Sequence, residues 1–266
     1  MNLYPVSISL GSYGADYVRA QGQASLIPVL SNAGVSHMEL REELFVGETD
    51  LHALGRSIAS AGLTCVYSAP IELWLQDQSL PNPAVAKALQ SAQDSGAVWL
   101  KVSLGHFNGQ ANFSELAALL DTHPVHLLVE NDQTPQGGHI APLVDFFGKV
   151  RSAGLGIGMT FDIGNWQWQG ESAVDAAQQL GGYVEYLHCK AVERRNGKLC
   201  AIPPTAADLQ LWEHLLQGMA PGIVRAVEFP LQGDDLTAVT QGHVAALARL
   251  GQLSDHDQVQ REHAHG

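Results

Sequence analysis

Short apolar runs alternate with amphipathic helical stretches along almost the whole chain, at intervals of about thirty residues, and very few folds accept that alternation. The run VSISLG (6–11) leads into QASLIPVLSNAG (23–34), where Leu26, Val29, Leu30 and Ala33 recur at helical spacing. HMELR, TCVYSAP and VWLKVSLG then precede the helical DLHALGRSIASAG, PAVAKALQSAQDSG and FSELAALLDTH. In the second half HLLVEN, GIGMTFDIG, YVEYLHCKA and IVRAVEFPL precede IAPLVDFFGKVRSAG, AVDAAQQLGG, ADLQLWEHLLQGM and LTAVTQGHVAALARL. Four of the helical stretches end on Gly34, Gly62, Gly96 or Gly154, the residue that lets a helix stop and turn back. The strand-like runs are apolar throughout rather than alternating, as parallel strands covered on both faces must be. Eight strand-helix units predict an α/β protein with a single (β/α)8 TIM barrel over residues 1–253. An open doubly wound sheet is the competing architecture, and the chain lacks the GxGxxG that would favour it, reading GSYGADY after the first strand.

Several function classes drop out on composition. No apolar stretch reaches the roughly 18 residues of a membrane span, and MNLYPVSISLGSYG lacks the features of a signal peptide, so the expected location is the cytoplasm, with no membrane partner. The 27 acidic residues outnumber 14 Lys and Arg, and no basic stripe is present, which argues against nucleic acid as a partner. Cys65, Cys189 and Cys200 are odd in number and show no CxxC spacing, and they read as small buried hydrophobes. From Ser254 the chain is polar and without a core face. Residues 254–266 are expected to form a disordered tail, and His256, His263 and His265 within it to be solvated.

Four ionisable residues close consecutive apolar runs in the second half: Glu130, Asp162, His188 and Glu228. A lone acidic residue at a strand end is usually a helix cap or a surface ion pair. Four in successive units mean something else, because active sites of such barrels sit at the C-terminal ends of the strands. Three carboxylates converging on one mouth repel unless a cation or a proton offsets them. Two Glu, one Asp and one imidazole make a mostly hard-oxygen donor set, suited to one Mn2+ or Mg2+ and compatible with Co2+, Fe2+ or Zn2+. A divalent ion that chelates a substrate carbonyl and neighbouring hydroxyl stabilises an enediolate, and two carboxylates on opposite sides, Glu130 and Glu228, then act as base and acid. Alternation of the two inverts a stereocentre; the same constellation also supports aldose-ketose isomerisation.

Glu130 in LLVEND, Asp162 in TFDIGN, His188 in YLHCKA and Glu228 in AVEFP together resemble the xylose isomerase-like TIM barrel superfamily of sugar phosphate isomerases and epimerases, over Ser7 to Leu250. The pattern is most similar to that of the ketose 3-epimerases. That resemblance implies one Mn2+, Mg2+ or Co2+ on the four residues, proton transfer by both glutamates, and a substrate hydroxyl held by Arg194, six residues after His188. It also implies a homodimer or homotetramer. The chain departs from the family at Asn165, where a His is usual, at Ala191, where HxKD motifs carry Asp, and at Gln136, where many epimerases carry Glu. His188 separates it from hydroxypyruvate isomerase-like members, which tend to have Gln there.

Further substrate-binding candidates sit in the strand-helix loops. Asn165 follows Asp162; Lys190 can reach a substrate oxygen or neutralise an acidic ligand. His106 can bond a sugar hydroxyl or simply be exposed. Glu39 can bind substrate or pair with Arg41 or a lysine. Of Trp74, Trp166 and Trp168, Trp166 is the expected apolar wall for sugar C–H faces, being nearest Asp162. The function expected is a metal-dependent epimerase or isomerase of a ketose or keto-sugar acid, phosphorylated or not, acting on a small-molecule sugar. An inosose dehydratase-like lyase is the alternative. An endonuclease IV-like phosphodiesterase, suggested by the Glu130-Asn131 pair, is weaker because its extra histidine ligands have no counterpart, and a non-catalytic sugar-binding relative would not need all four ligands.

Overall fold

The computed structural model describes residues 3–252 and shows a closed barrel of eight parallel strands. The strands are β1 (Val6–Ser9), β2 (His37–Arg41), β3 (Thr64–Trp74), β4 (Ala97–Gly105), β5 (His126–Glu130), β6 (Ile157–Asp162), β7 (Val184–Cys189) and, after a hairpin of β8 (Ala191–Arg195) and β9 (Lys198–Ile202), β10 (Val224–Val227). Closure comes from β1, which pairs with β2 on one side and β10 on the other. Among the described residues nine α-helices accompany the strands: α1 (Ala15–Gln21), α2 (Ile27–Asn32), α3 (Leu51–Ser60), α4 (Ala84–Asp94), α5 (Phe113–Leu120), α6 (Ile140–Ser152), α7 (Ala173–Leu180), α8 (Ala206–Leu216) and α9 (Leu236–Leu247). Among the described residues no helix is long and apolar enough to cross a membrane. The tail expected from residue 254, with its three histidines, lies outside the described residues.

Helix boundaries follow local chemistry. The side chains of Asp50, Asn112, Ser172, Thr205 and Asp235 accept from backbone N–H groups of the first turns of α3, α5, α7, α8 and α9. Gly34, Gly62, Gly96 and Gly154 have φ of 74°, 75°, 66° and 69°, the left-handed stop that the sequence predicts. Behind three of them the next residue donates back into the helix, as Val35 N does to Leu30 O at 3.1 Å.

Strand pleating divides the barrel interior into two layers. Val66, Leu128, Tyr186 and Ala226, with Trp99 against them, form an apolar plug separate from the larger core between strands and helices. Side chains two apart point the same way along a strand. Each plug residue therefore has a polar residue one pleat further toward the C-terminal mouth: Ser68 above Val66, Lys101 above Trp99, Glu130 above Leu128, His188 above Tyr186 and Glu228 above Ala226. The plug excludes water from below and makes a floor for that polar layer.

Three local features depart from the sequence expectation. The segment after Ala191, read as a loop running to α8, folds as the β8–β9 hairpin. Its turn is Asn196-Gly197, both residues at positive φ (49° and 79°), which is the requirement of a two-residue type I′ turn. Helix α1 precedes the stretch read as the first helix, and Gln23–Leu26 within that stretch is a 3-10 turn. Strand β3 runs on to Trp74, with a register break between Ser68 and Glu72 where it pairs with β4. Cys65 and Cys189 are buried as expected, whereas Cys200 on the hairpin is half-buried.

A close backbone approach makes Gly55 in α3 a test of this packing. A Cβ there would lie 2.4 Å from Ser95 O. Gly to Ala in a helix interior normally stabilises by about 1 kcal/mol. Gly55→Ala is expected instead to destabilise by about 1–3 kcal/mol, as overpacking does. Gly148→Ala in α6, where a Cβ meets nothing within 4 Å, should be neutral or stabilising. Urea midpoints at constant m-value decide both.

Candidate metal centre

Glu130 ends β5, Asp162 ends β6, His188 lies in β7 and Glu228 directly follows β10, so four neighbouring strands deliver their side chains to one mouth. One donor atom from each lies within 4.8 Å of the other three. Among the described residues this is the single group of His, Cys, Asp or Glu with such spacing. Asp162 and His188 are fully buried, while the side chains of Glu130 and Glu228 keep 13% and 18% of their surface.

The orientation of His188 is set from beneath. Its Nε2 lies 2.8 Å from Glu39 Oε2, and a carboxylate only accepts, so the Nε2 proton is directed there and Nδ1 faces the mouth. Tyr186 O–H donates to the same Glu39 oxygen at 2.8 Å. Nδ1 is 3.0 Å from Glu130 Oε1, 3.1 Å from Glu228 Oε2 and 4.0 Å from Asp162 Oδ2. Even so, His188 Nδ1 and Glu130 Oε1 are buried atoms without a hydrogen-bond partner. Donor atoms left unpartnered and crowded within one small space are aimed at a common centre. Their identity, two or more carboxylate oxygens with one imidazole nitrogen, fits a divalent cation.

A ring of basic side chains surrounds that centre. Lys101 Nζ, almost fully buried, donates to Glu130 Oε2 at 2.7 Å and stands 3.7 Å from Glu39 Oε1. Lys190 Nζ lies 2.6 Å from Asp162 Oδ2 and 2.9 Å from Glu228 Oε2. Arg41 Nη1 donates to Glu228 Oε1 at 3.0 Å and lies 3.5 Å from Glu39 Oε1, while its Nε donates to Glu43 at 2.9 Å. Burial pushes the Glu130, Glu228 and Glu39 carboxyls up, but His188 and these cations more than offset it and hold all three below the usual carboxylate range. Asp162 goes the other way. Burial raises it to about 7 against the pull of Lys190, with Glu228 and Glu130 adding to the rise. His188 is pushed above its ordinary value, burial notwithstanding, by Glu228, Glu39 and Glu130. Both shifts share a cause, negative charge gathered at one centre, which a divalent ion there would offset.

The remaining sequence candidates divide sharply. Lys190 is at the centre and neutralises two acidic ligands. Glu39 is fully buried and takes the second of its two options, pairing with Arg41 Nη1 at 3.5 Å and Lys101 Nζ at 3.7 Å, while it also accepts from His188. Asn165 is engaged within the protein: its Nδ2 donates to Asn131 O at 2.9 Å, its Oδ1 accepts from Gln133, and its backbone N–H donates to Asp162 Oδ1 at 3.0 Å, so it latches the loop after Asp162. Trp166 is fully buried against Phe161 and forms no wall at the mouth; Trp168 instead lies under Lys190, 5.9 Å from Nζ. Trp74 is core. Arg194 is exposed on β8 and donates to Gly197 O of its own hairpin turn at 2.8 Å. His106 is half-buried in the loop after β4, anchored by its backbone N–H to Trp74 O. Sequence reasoning missed Lys101 and Arg41 as part of the centre. The signal was present in VWLKVSLG, because a lysine inside an otherwise apolar buried strand needs an anionic partner.

Two recesses flank the centre, and Arg41 lines both. One, of about 570 Å³, is walled by Ser68, Glu72, Lys101, Ser103, Glu130 and Asp132. The other, of about 370 Å³, is walled by Ser9, Ser12, Arg19, Ala201, Glu228 and Phe229. Ala201 belongs to β9, so the hairpin forms part of the rim.

No protein-family model and no curated protein matches the chain. Solved structures do match over nearly its whole length. A xylose isomerase domain-containing protein from Salmonella typhimurium LT2 superposes with a TM-score of 0.70 at 16% identity, covering 95% of this chain and 100% of that one. The IOLI protein with a bound zinc atom gives 0.68 at 12%, over 94% and 100%. D-psicose 3-epimerase from Clostridium cellulolyticum H10, solved with D-tagatose, gives 0.65 at 12%, over 94% and 100%. The chain has the fold of the xylose isomerase-like TIM barrels, a group that takes in sugar phosphate isomerase/epimerases and ketose 3-epimerases.

Metal binding and stability both test the centre. The purified protein should bind about one Mn2+ or Co2+ per chain by calorimetry, and Asp162→Ala or His188→Ala should abolish it. Glu39→Gln keeps every ligand yet should weaken binding by about 10–100-fold, since the imidazole loses its orienting carboxylate. Lys101→Met leaves Glu130 and Glu39 without their shared cation and should destabilise the metal-free protein by about 3–5 kcal/mol. Saturating Mn2+ should recover part of that loss in a thermal scan.

Proposed function

We propose that this protein is a divalent-metal-dependent epimerase or isomerase of a ketose or keto-sugar acid, working by proton transfer between Glu130 and Glu228. The observation that carries the reading is the asymmetry among the four ligands: Asp162 and His188 are sealed, whereas Glu130 opens on one recess and Glu228 on the other. A substrate carbon held between the recesses therefore has a carboxylate on each face. The similarity to a D-psicose 3-epimerase and to a zinc-containing barrel supports the same reading.

When bound, a divalent ion polarises a substrate carbonyl and offsets the charge that develops as the adjacent C–H is broken. The chain's own residues supply the rest. Glu130 Oε1 has no hydrogen-bond partner, and Lys101 fixes Oε2 and keeps the group ionised, so Oε1 is the atom placed to take a proton. Glu228 has both oxygens on cations, Arg41 on Oε1 and Lys190 on Oε2, so it holds a proton weakly and is suited to deliver one to the opposite face. Glu39 and Asn165 keep His188 and Asp162 still while this happens, and the apolar plug keeps water from entering below.

Turnover in D2O is the direct test, with the Mn2+-loaded protein and a panel of ketoses, keto-sugar acids and inososes read by NMR. Deuterium is expected at the inverted carbon. Glu130→Gln and Glu228→Gln should each lower net interconversion by about 10²–10⁴-fold, with one-sided deuterium wash-in retained on the face of the intact glutamate. A product lighter by one water would move the reading to a lyase of the inosose dehydratase kind. Near-normal interconversion by either variant with its metal in place would sink the two-base mechanism.

A further inference from the structure

Strand β3 carries a carboxylate that the metal centre does not use. The register break between Ser68 and Glu72 interrupts pairing with β4, and pairing resumes with Glu72 opposite Ser103, which in turn pairs with Glu130. Irregularities of this kind re-aim side chains beside active sites. Here the result is a row of Glu72, Ser103 and Glu130 across three adjacent strands.

The position is built to hold that side chain. Gly105, at φ 69°, passes so close that a Cβ would lie 2.5 Å from Glu72 Cβ and 2.4 Å from Trp74 O, so only glycine leaves room. Gln136 Nε2 donates to Glu72 Oε1 at 2.8 Å, and Asn82 Nδ2 donates to Glu72 O at 2.7 Å. Asp132 is seated in a similar way: Thr134 donates to its Oδ1 through N–H at 2.8 Å and Oγ1 at 2.6 Å, and a Cβ on Gly137 would lie 2.6 Å from that oxygen. Both carboxylates face the 570 Å³ recess beside Glu130.

Neither has a cation within ion-pair distance among the described residues. The two basic groups lining the recess are committed elsewhere, Lys101 to Glu130 and Glu39, Arg41 to Glu228, Glu39 and Glu43. A recess walled by two unpaired carboxylates, with Ser68, Ser103 and Thr134 beside them, offers acceptors to hydroxyl donors and repels an anion.

We propose that Glu72 and Asp132 make this recess the subsite for a neutral, polyhydroxylated end of the substrate, and that Glu72 is the residue that excludes a phosphorylated or carboxylated end from it. The inference rests on the proposed epimerase or isomerase reading for the location of the reacting carbon. It goes further in naming the chemical class of the substrate and the residue that selects it.

Calorimetric titration of the Mn2+-loaded full chain with D-fructose, D-tagatose and D-psicose, each beside its 6-phosphate, tests the proposal. At least one neutral ketose is expected to bind, with its 6-phosphate weaker by about tenfold or more. Glu72→Gln, which keeps shape and removes charge, should weaken the neutral ketose by about tenfold without changing Mn2+ affinity. Glu72→Lys should narrow or reverse the preference. Equal binding of sugar and 6-phosphate, an unchanged affinity in Glu72→Gln, or no binding of any ketose would overturn the assignment. Glu72-dependent binding without deuterium incorporation would sink the proposed function and leave the subsite standing. Deuterium incorporation with unchanged affinity in Glu72→Gln would do the reverse.

Discussion

Compensation of charge inside a closed barrel is the constraint on which the rest of this structure depends. Glu39, Glu130, Asp162 and Glu228 enter a space closed by strands on all sides and by an apolar plug below. An unpaired ion in such a place costs several kcal/mol. Lys101, Lys190 and Arg41 meet that cost by pairing with the carboxylates from below and from the side, at 2.6 to 3.0 Å. Removal of Lys101 or Lys190 leaves Glu130 or Asp162 without its nearest cation.

The pairing also creates the chemical asymmetry of the site. Glu39 consumes the Nε2 side of His188, so the other nitrogen faces the mouth. Lys101 takes one oxygen of Glu130 and leaves the other without a partner, whereas Arg41 and Lys190 take both oxygens of Glu228. Two residues of one type thereby acquire different proton affinities. The basic ring is shared so completely that nothing positive is left over in the recess beside Glu130, and that absence makes Glu72 and Asp132 acceptors rather than ion-pair partners.

Pleating links this chemistry to the core. Because side chains two apart share a face, the plug residues Leu128, Tyr186 and Ala226 place Glu130, His188 and Glu228 one layer higher without any special loop. A one-residue slip in any of these strands would put the apolar residue in the mouth and the charged one among the helices. The packing that stabilises the barrel and the register that assembles the site are therefore one requirement.

Much of this was legible in the order of the residues. Alternation of apolar runs with helical ones, with glycines at the helix ends, determined an eightfold strand-helix plan, because a chain that buries both faces of its strands has few ways to close. The four residues ending successive strands determined the cluster at the mouth, since strand ends in such a plan share one end of the barrel. Local turn chemistry was legible too, although the Asn196-Gly197 signal of the hairpin went unread. What only the tertiary structure decided was which side chains meet across the barrel. Glu39 and His188 are 149 positions apart, and no spacing rule links them. Trp166 and Asn165, adjacent in sequence to Asp162, turn out to be core and latch, because a 3-10 turn after β6 rotates them away from the mouth. Lys101, Arg41 and Glu72 reach the site from the first half of the chain through barrel closure and a strand irregularity, and both arise from long-range pairing that a linear pattern does not carry.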